Sequence, residues 1–159
     1  MKFELTKEFI SDLSDAAASG NSTFISSSLV DLHPADIAEI LEEFDFEEAK
    51  IIYGHLEEEM ASDVLTELDE DTREEFLASF SAKEIAESLD NMDSDDATDV
   101  IQDLPEHRKE RVISELEDEE QASDIVDLLT YEEHTAGGLM AKEFITVNNI
   151  KYFINKKEV

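Results

Sequence analysis

One short pattern recurs five times along the chain and limits the folds that the chain can adopt. Each copy has Ala or Pro first, an acidic residue two positions later, then Ile or Val, and Leu four residues after that. The copies begin at Pro34, Ala61, Ala82, Ala97 and Ala122. Residues four apart share one face of an α-helix, so the aliphatic pair predicts a buried stripe on each of five helices.

Further helices are predicted around these five. Amphipathic segments at 46–52, 73–77 and 108–113 lie between copies of the pattern. Ahead of the first copy, we predict one helix over 3–18 and another that begins near Ser22. Short helices in succession, each packed on its neighbours, are typical of an α-solenoid.

Several residues mark the expected helix boundaries. Ser94 and Asp95 are suitable N-caps, and Pro105 suits the first turn of the helix that follows it. His33-Pro34 is likewise the expected start of a helix. The predicted fold class is all-α: a right-handed superhelix (α-solenoid) of short paired helices, with an extended C-terminal segment over the strand-like residues 143–147. No element is recognised over 151–159.

The charge of the chain restricts its partners. The 159 residues include 43 acidic and 12 basic side chains, which give a net charge of −31. Such a surface repels phosphate backbones and anionic membranes, so neither nucleic-acid binding nor direct membrane insertion is expected. Cations and basic protein faces are the natural partners. A halophilic adaptation, or mere solubility, would give the same composition.

The sequence offers no constellation of residues for catalysis. No Cys is present, and the carboxylates are so numerous that an apparent acid–base pair carries no information. The four histidines do not have the spacing of a transition-metal site, and we expect them to be surface or capping residues: His33, His55, His107 and His134. A non-enzymatic protein is therefore predicted.

Residues 131–140 read Tyr-Glu-Glu-His-Thr-Ala-Gly-Gly-Leu-Met and are followed by Glu143-Phe144. This stretch resembles the junction between the amino-terminal domain and the first CBS domain of MgtE-family magnesium transporters. The segments 32–38 and 95–99 also resemble that family's helical repeats, so the resemblance covers 32–147. It implies a helical domain over 1–130, a junction toward a CBS domain over 131–147, and a truncated or non-native tail over 148–159.

The resemblance also implies a function. Such a domain would sense Mg²⁺ at the cytoplasmic face of the membrane and gate transport by docking on CBS domains when the ion is plentiful. Its partners would be the CBS and transmembrane domains of the same transporter. The complete transporter would be a homodimer, whereas the isolated chain can be a monomer. ATP, which the family binds in its CBS domains, is not expected here. The alternative is a helical protein-interaction scaffold, similar to flagellar motor switch proteins, with no specific ion sensing.

The family's metal-binding motifs match four residues of this sequence: Asp63, Asp95, Asp99 and, through its backbone carbonyl, Gly138. Independently of the resemblance, Asp95 and Asp99 are four residues apart and would repel each other on one helix face. A Mg²⁺ ion, which binds one or two carboxylates and keeps several waters, would remove that repulsion. The alternative for both residues is a solvated helix surface without a metal.

Overall fold

The computed structural model describes residues 5–131, 135–137, 140, 142, 144–147 and 150–153. Within these residues the chain forms ten helices and one hairpin. The helices are α1 Lys7–Ser19, α2 Ser22–Leu29, α3 Pro34–Glu42, α4 Phe46–Tyr53, α5 Glu58–Glu67, α6 Glu70–Leu77, α7 Ala82–Leu89, α8 Ser94–Gln102, α9 Glu106–Glu115 and α10 Glu119–Leu128. The strands are β1 Phe144–Val147 and β2 Ile150–Phe153. The predicted all-α class is confirmed, and the extended C-terminal segment is a hairpin.

The chain divides into two compact units, Met1–Ser81 and Ala82–Val159. In the first unit α3 packs on α5, and α4 contacts α1, α3 and α6. The side chains of Leu13, Ile25, Ile37, Ile52 and Leu65 are fully buried there. This aliphatic core positions the helices of the first unit.

An aromatic cluster lies beside that core. The rings of Tyr53, Phe76 and Phe80 meet edge to face, with centroids 4.9–5.6 Å apart. The Lys50 ammonium lies 4.4 Å from the centre of the Phe80 ring and donates to the Ser79 carbonyl at 2.8 Å. The cluster therefore joins α4 to the end of α6.

In the second unit α7 packs on α9, and α8 packs on α10. Ile85 and Leu89 of α7, Val100 of α8, Val112 of α9 and Ile125 of α10 are fully buried. All five belong to the apolar faces of short helices. Their burial fixes the direction in which the remaining face of each helix points.

The burial predicted from the repeat is confirmed at nine of the ten aliphatic positions, although Leu68 and Leu104 lie just beyond the ends of α5 and α8. Ile or Val is fully buried in every copy, and Leu is 4% exposed or less in the first four copies. In the fifth copy the prediction of Leu129 is wrong, because Leu128 is the buried residue. Positions three and four residues after Ile125 both adjoin it on the helix surface, and Leu128 takes the core place.

The helix starts agree with the sequence in part. The break at 19–21 is confirmed, since Gly20 ends α1 with φ +68° and Asn21 caps α2. His33 caps α3 as predicted, and its Nδ1 accepts from the Ala35 N–H. Asp69 caps α6 in the same way, and the N–H and hydroxyl of Thr72, donating to the carboxylate, lower the pKa of Asp69.

The N-cap predictions for α8 are wrong by one or two positions. Asp93 has the extended backbone of an N-cap, and Ser94 is already the first helical residue. Ser94 is fully buried, so its hydroxyl serves a tertiary contact described below. Pro105 is likewise the residue before α9 and not part of its first turn.

The hairpin lies at the C-terminal end of the described residues. Strands β1 and β2 are antiparallel, with Phe144 opposite Phe153 and Val147 opposite Ile150. The sequence indicated β1 by composition, but the absence of an element over 151–153 was a wrong prediction. A strand of four residues has little local signal, and its pairing partner stabilises it.

Candidate functional site

Asp95 and Asp99 lie on α8 of the second unit, four residues apart and both half-buried. The opposite side of α8 holds Ala97, Val100 and Ile101, which are fully buried and fix the helix on the core. The first turn of α8 also contains Asp96, and acidic residues there are stabilised by the helix dipole. The predicted carboxylate pair is therefore present on a firmly packed helix.

Asp63 lies on α5 of the first unit, where its side chain is exposed. Gly138, the fourth predicted residue, lies outside the described residues. In the part of the chain that the structure describes, no three His, Cys, Asp or Glu side chains converge as a metal site would require. Of the four predicted residues, the structure thus brings together Asp95 and Asp99.

The second unit also contains an ion-pair contact that the sequence did not indicate. The Lys142 ammonium contacts two carboxylates of α10, Asp127 at 2.5 Å and Asp124 at 3.3 Å. The Lys142 backbone N–H donates to the buried Ser94 hydroxyl at 3.2 Å. Lys142 therefore binds both α8 and α10, and we call this set of contacts the Lys142 latch.

The electrostatics of the latch are consistent with its geometry. The hydrogen bond to Asp127 raises the pKa of Lys142, and Asp124 adds to the effect in spite of some desolvation. Asp124 occupies the acidic position of the fifth repeat copy, as Asp99 does in the fourth. The same repeat position is thus an ion-pair partner on α10. A basic residue 18 positions away supplies the cation, and repeat analysis gives no signal for it.

Polar contacts also tie α10 to the end of α7. The Gln121 side-chain amide donates to the carbonyls of Leu89 and Met92, each at 3.0 Å. The Asp90 carboxylate accepts from the Glu117 N–H at 3.2 Å, and burial raises the pKa of Asp90. These contacts hold the connection between α9 and α10 against α7, which keeps α10 in position for the latch.

The junction motif contains one steric requirement that the structure makes visible. A Cβ atom at Gly137 would lie 2.4 Å from Cδ1 and 2.7 Å from Cγ of the Tyr131 ring. Real side chains do not approach so closely, so the first glycine of the motif allows Tyr131 to cover the backbone. Gly137 therefore has a packing role.

The described histidines agree with their expected surface and capping roles. His33 caps α3, and His107 is exposed on α9. The His55 ring bridges two segments, with Nδ1 2.7 Å from the Ile51 carbonyl and Nε2 2.9 Å from the Ser22 hydroxyl. His134 lies outside the described residues.

Fold and surface together define an acidic helical-repeat domain with paired carboxylates on one helix and a hairpin beyond the last helix. Within the described residues, none of the helices has both the length and the apolar character needed to cross a bilayer. The chain belongs to the MgtE intracellular N domain family, whose model matches residues 32–134. The recognition of this family from the junction motif and the repeats is confirmed.

Two solved structures are similar to the chain. One is the crystal structure of the soluble part of a magnesium transporter, with a TM-score of 0.75 and 25% identity; the match covers 87% of this chain and 55% of that chain. The other is the cytosolic domain of the Mg²⁺ channel MgtE in complex with ATP, with a TM-score of 0.74 and 26% identity, covering 87% and 56% respectively. The chain thus spans just over half the length of each. Comparison with curated proteins found no match.

Proposed function

We propose that this chain is the Mg²⁺-sensing regulatory domain of a magnesium transporter or channel, acting at the cytoplasmic face of the membrane. Its family and its likeness to the soluble part of a magnesium transporter support the setting. The observation that carries the proposal is the Asp95–Asp99 pair, held one turn apart on the packed helix α8.

The chemistry of the pair suits Mg²⁺. The ion takes oxygen ligands, keeps several waters and commonly uses one or two carboxylates from the protein. Asp95 and Asp99 supply such carboxylates, and the remaining ligands would come from water and from a docked partner surface. Asp63, in the first unit, and the Gly138 carbonyl are proposed as further Mg²⁺ ligands.

The regulatory step follows from charge. At a net charge of −31, this domain repels any acidic surface of its own transporter until cations neutralise the contact. Mg²⁺ between the domain and the CBS domains would hold them docked and keep transport shut, and loss of the ion would release the domain. The partners in this proposal are the CBS and transmembrane domains of one transporter, with the complete protein a homodimer. In this proposal the domain acts by docking and has no catalytic step.

The test is an NMR titration of the chain with MgCl₂ at constant ionic strength, set by NaCl. We expect saturable shifts of the amides around Asp95 and Asp99, which disappear in the variant Asp95→Asn/Asp99→Asn. The matched control is Asp71→Asn/Glu75→Gln, which removes two exposed acids from the equivalent positions of α6. This control should keep the saturable shifts.

The opposite result would be diffuse shifts that never saturate and that are the same in the unchanged chain and in both variants. That result would contradict a sensor in this domain. It would favour the alternative of a helical interaction scaffold whose acids only attract cations loosely.

A further inference from the structure

A groove in the first unit lies between the end of α2 and the start of α5. Its volume is about 400 Å³, and its apolar lining includes Leu29, Leu56 and Met60. Val30 stands at its edge with 63% of the side chain exposed. The volume is at the lower end of the ~300–1,000 Å³ range of ligand-sized pockets, which is enough space for one or two large aliphatic side chains.

The walls of the groove are held in place by hydrogen bonds. The Ser26 hydroxyl donates to the His55 carbonyl at 3.2 Å. His55 Nδ1–H donates to the Ile51 carbonyl, which leaves Nε2 to accept from the Ser22 hydroxyl. These bonds join α2 to the connection between α4 and α5. The groove is therefore formed before any partner arrives, which lowers the entropic cost of docking.

Acidic residues surround this apolar lining. Glu57, Glu59 and Asp63 line the groove, and no Lys or Arg is among its lining residues. Of the described basic residues in this unit, Lys50 and Arg73 donate to the carbonyls of Ser79 and Leu65, and Lys7 lies at the start of α1. The acidic side chains at the edge of the groove therefore give it a negative charge. No Lys or Arg among the lining residues neutralises that charge.

We propose that this groove docks a basic amphipathic helix of a partner protein. Aliphatic side chains on one face of that helix would enter between Leu29, Val30 and Met60, and its Lys or Arg residues would meet Glu57 and Glu59. Apolar anchors flanked by complementary charge are the usual basis of helix-in-groove recognition. A second copy of this chain fits poorly, because each copy would bring its own net charge of −31. Asp63 lines the groove and is also a proposed Mg²⁺ ligand. The docking proposal uses neither Asp63, Asp95 nor Asp99, and it goes beyond the proposed Mg²⁺ sensing.

The probe is a synthetic Leu/Lys peptide about four helical turns long, with Leu on one helix face and Lys on the other. Its binding to the full chain is measured by calorimetry and NMR at about 0.15 M salt, where nonspecific charge attraction is screened. We expect saturable shifts confined to the segments 26–30 and 55–63. Val30→Glu should weaken binding about tenfold or more, and Glu57→Gln/Glu59→Gln about threefold to tenfold.

The matched control is Val126→Glu, which places the same charge on an exposed apolar residue of α10 in the second unit. It should change the affinity less than about twofold, with amide spectra confirming that both variants are folded. Equal losses in Val30→Glu and Val126→Glu would overturn the proposal, because binding would then reflect net charge alone. So would equal affinity for a Leu/Gln peptide of the same pattern, or concentration-dependent self-association that Val30→Glu abolishes. All of these measurements are made without Mg²⁺, because Asp63 lines the groove and is also a proposed ligand of that ion.

Discussion

At the scale of single residues, the junction motif combines a steric demand with its proposed ligand role. Gly137 allows the half-exposed ring of Tyr131 to lie against the backbone, at a distance that any Cβ would violate. Replacing a glycine costs little stability only where the neighbouring atoms can move away. The Cγ atom is close to the Tyr131 backbone, so relief of the clash requires rotation of the whole ring.

We therefore expect Gly137→Ala to displace Tyr131 and to destabilise the chain by about 1 kcal/mol, the low end for overpacking because the ring has solvent to move into. Urea unfolding gives the free energy, and amide shifts of residues 135–137 give the location of the change. Tyr131→Ala supplies the control. In the Tyr131→Ala background, Gly137→Ala should change the free energy of unfolding very little. Equal losses of that free energy in both backgrounds would show that the ring contact is not the cause.

Residue-level prediction from the sequence succeeded where the determinants are local. His33 was expected at a helix start because Pro follows it, and it caps α3. The same reasoning misplaced the start of α8, where Asp93 precedes the helix and Ser94 is buried. The capping preference of a residue type contains no information about a tertiary hydrogen bond. Here the Lys142 N–H, 48 positions away, donates to the Ser94 hydroxyl.

At the scale of elements, the Lys142 latch attaches the segment before β1 to α8 and α10. We expect Lys142→Met to increase hydrogen exchange of the β1 and β2 amides by roughly two- to fivefold, the range for a partly exposed ion pair. Since the Ser94 contact uses the backbone of Lys142, it is retained in this variant. Asp124→Asn/Asp127→Asn should give the same increase, and the combination should add nothing further.

Lys83→Met is the control, because Lys83 forms a well-exposed pair with Glu87 on one helix. It should leave hydrogen exchange in the hairpin unchanged. An increase equal to that of Lys142→Met would show that the loss of a positive charge, and not the loss of the latch, is the cause.

The pH dependence of the Lys142 latch has a definite sign. The folded-state pKa of Lys142 is raised above 10.5, so its stabilisation is complete below that pH and is lost as pH rises through the folded value. Hairpin shifts should therefore change little between about pH 6 and pH 9.

Elements were predictable to the extent that their signal is periodic. Five helices followed from one repeated pattern because Ile37, Val64, Ile85, Val100 and Ile125 all turn to the core. β2 was missed because a strand of four residues depends on its partner, β1. The candidate site followed the same rule: the spacing placed Asp95 and Asp99 on one helix face, whereas the latch required the tertiary fold.

At the scale of the whole molecule, the net charge of −31 opposes folding at low ionic strength. The Debye length falls from ~30 Å at 0.01 M salt to ~8 Å at 0.15 M, so added NaCl screens most of the repulsion between distant carboxylates. The melting temperature should therefore rise with NaCl, most steeply below about 0.1 M. This rise is common to any strongly acidic chain, and it provides the baseline against which a specific ion effect is measured.

MgCl₂ compared with NaCl at equal ionic strength separates a site from screening. A ligand that binds only the folded state adds RT ln(1 + [L]/Kd) to its stability, so a saturable site gives an excess of a few degrees in melting temperature. In Asp95→Asn/Asp99→Asn, we expect a loss of the Mg²⁺ excess in melting temperature. Asp71→Asn/Glu75→Gln removes the same charge from α6 and should keep the excess. If both variants lose it equally, Mg²⁺ acts on the charge of the whole molecule, and α8 holds no specific site in the isolated chain.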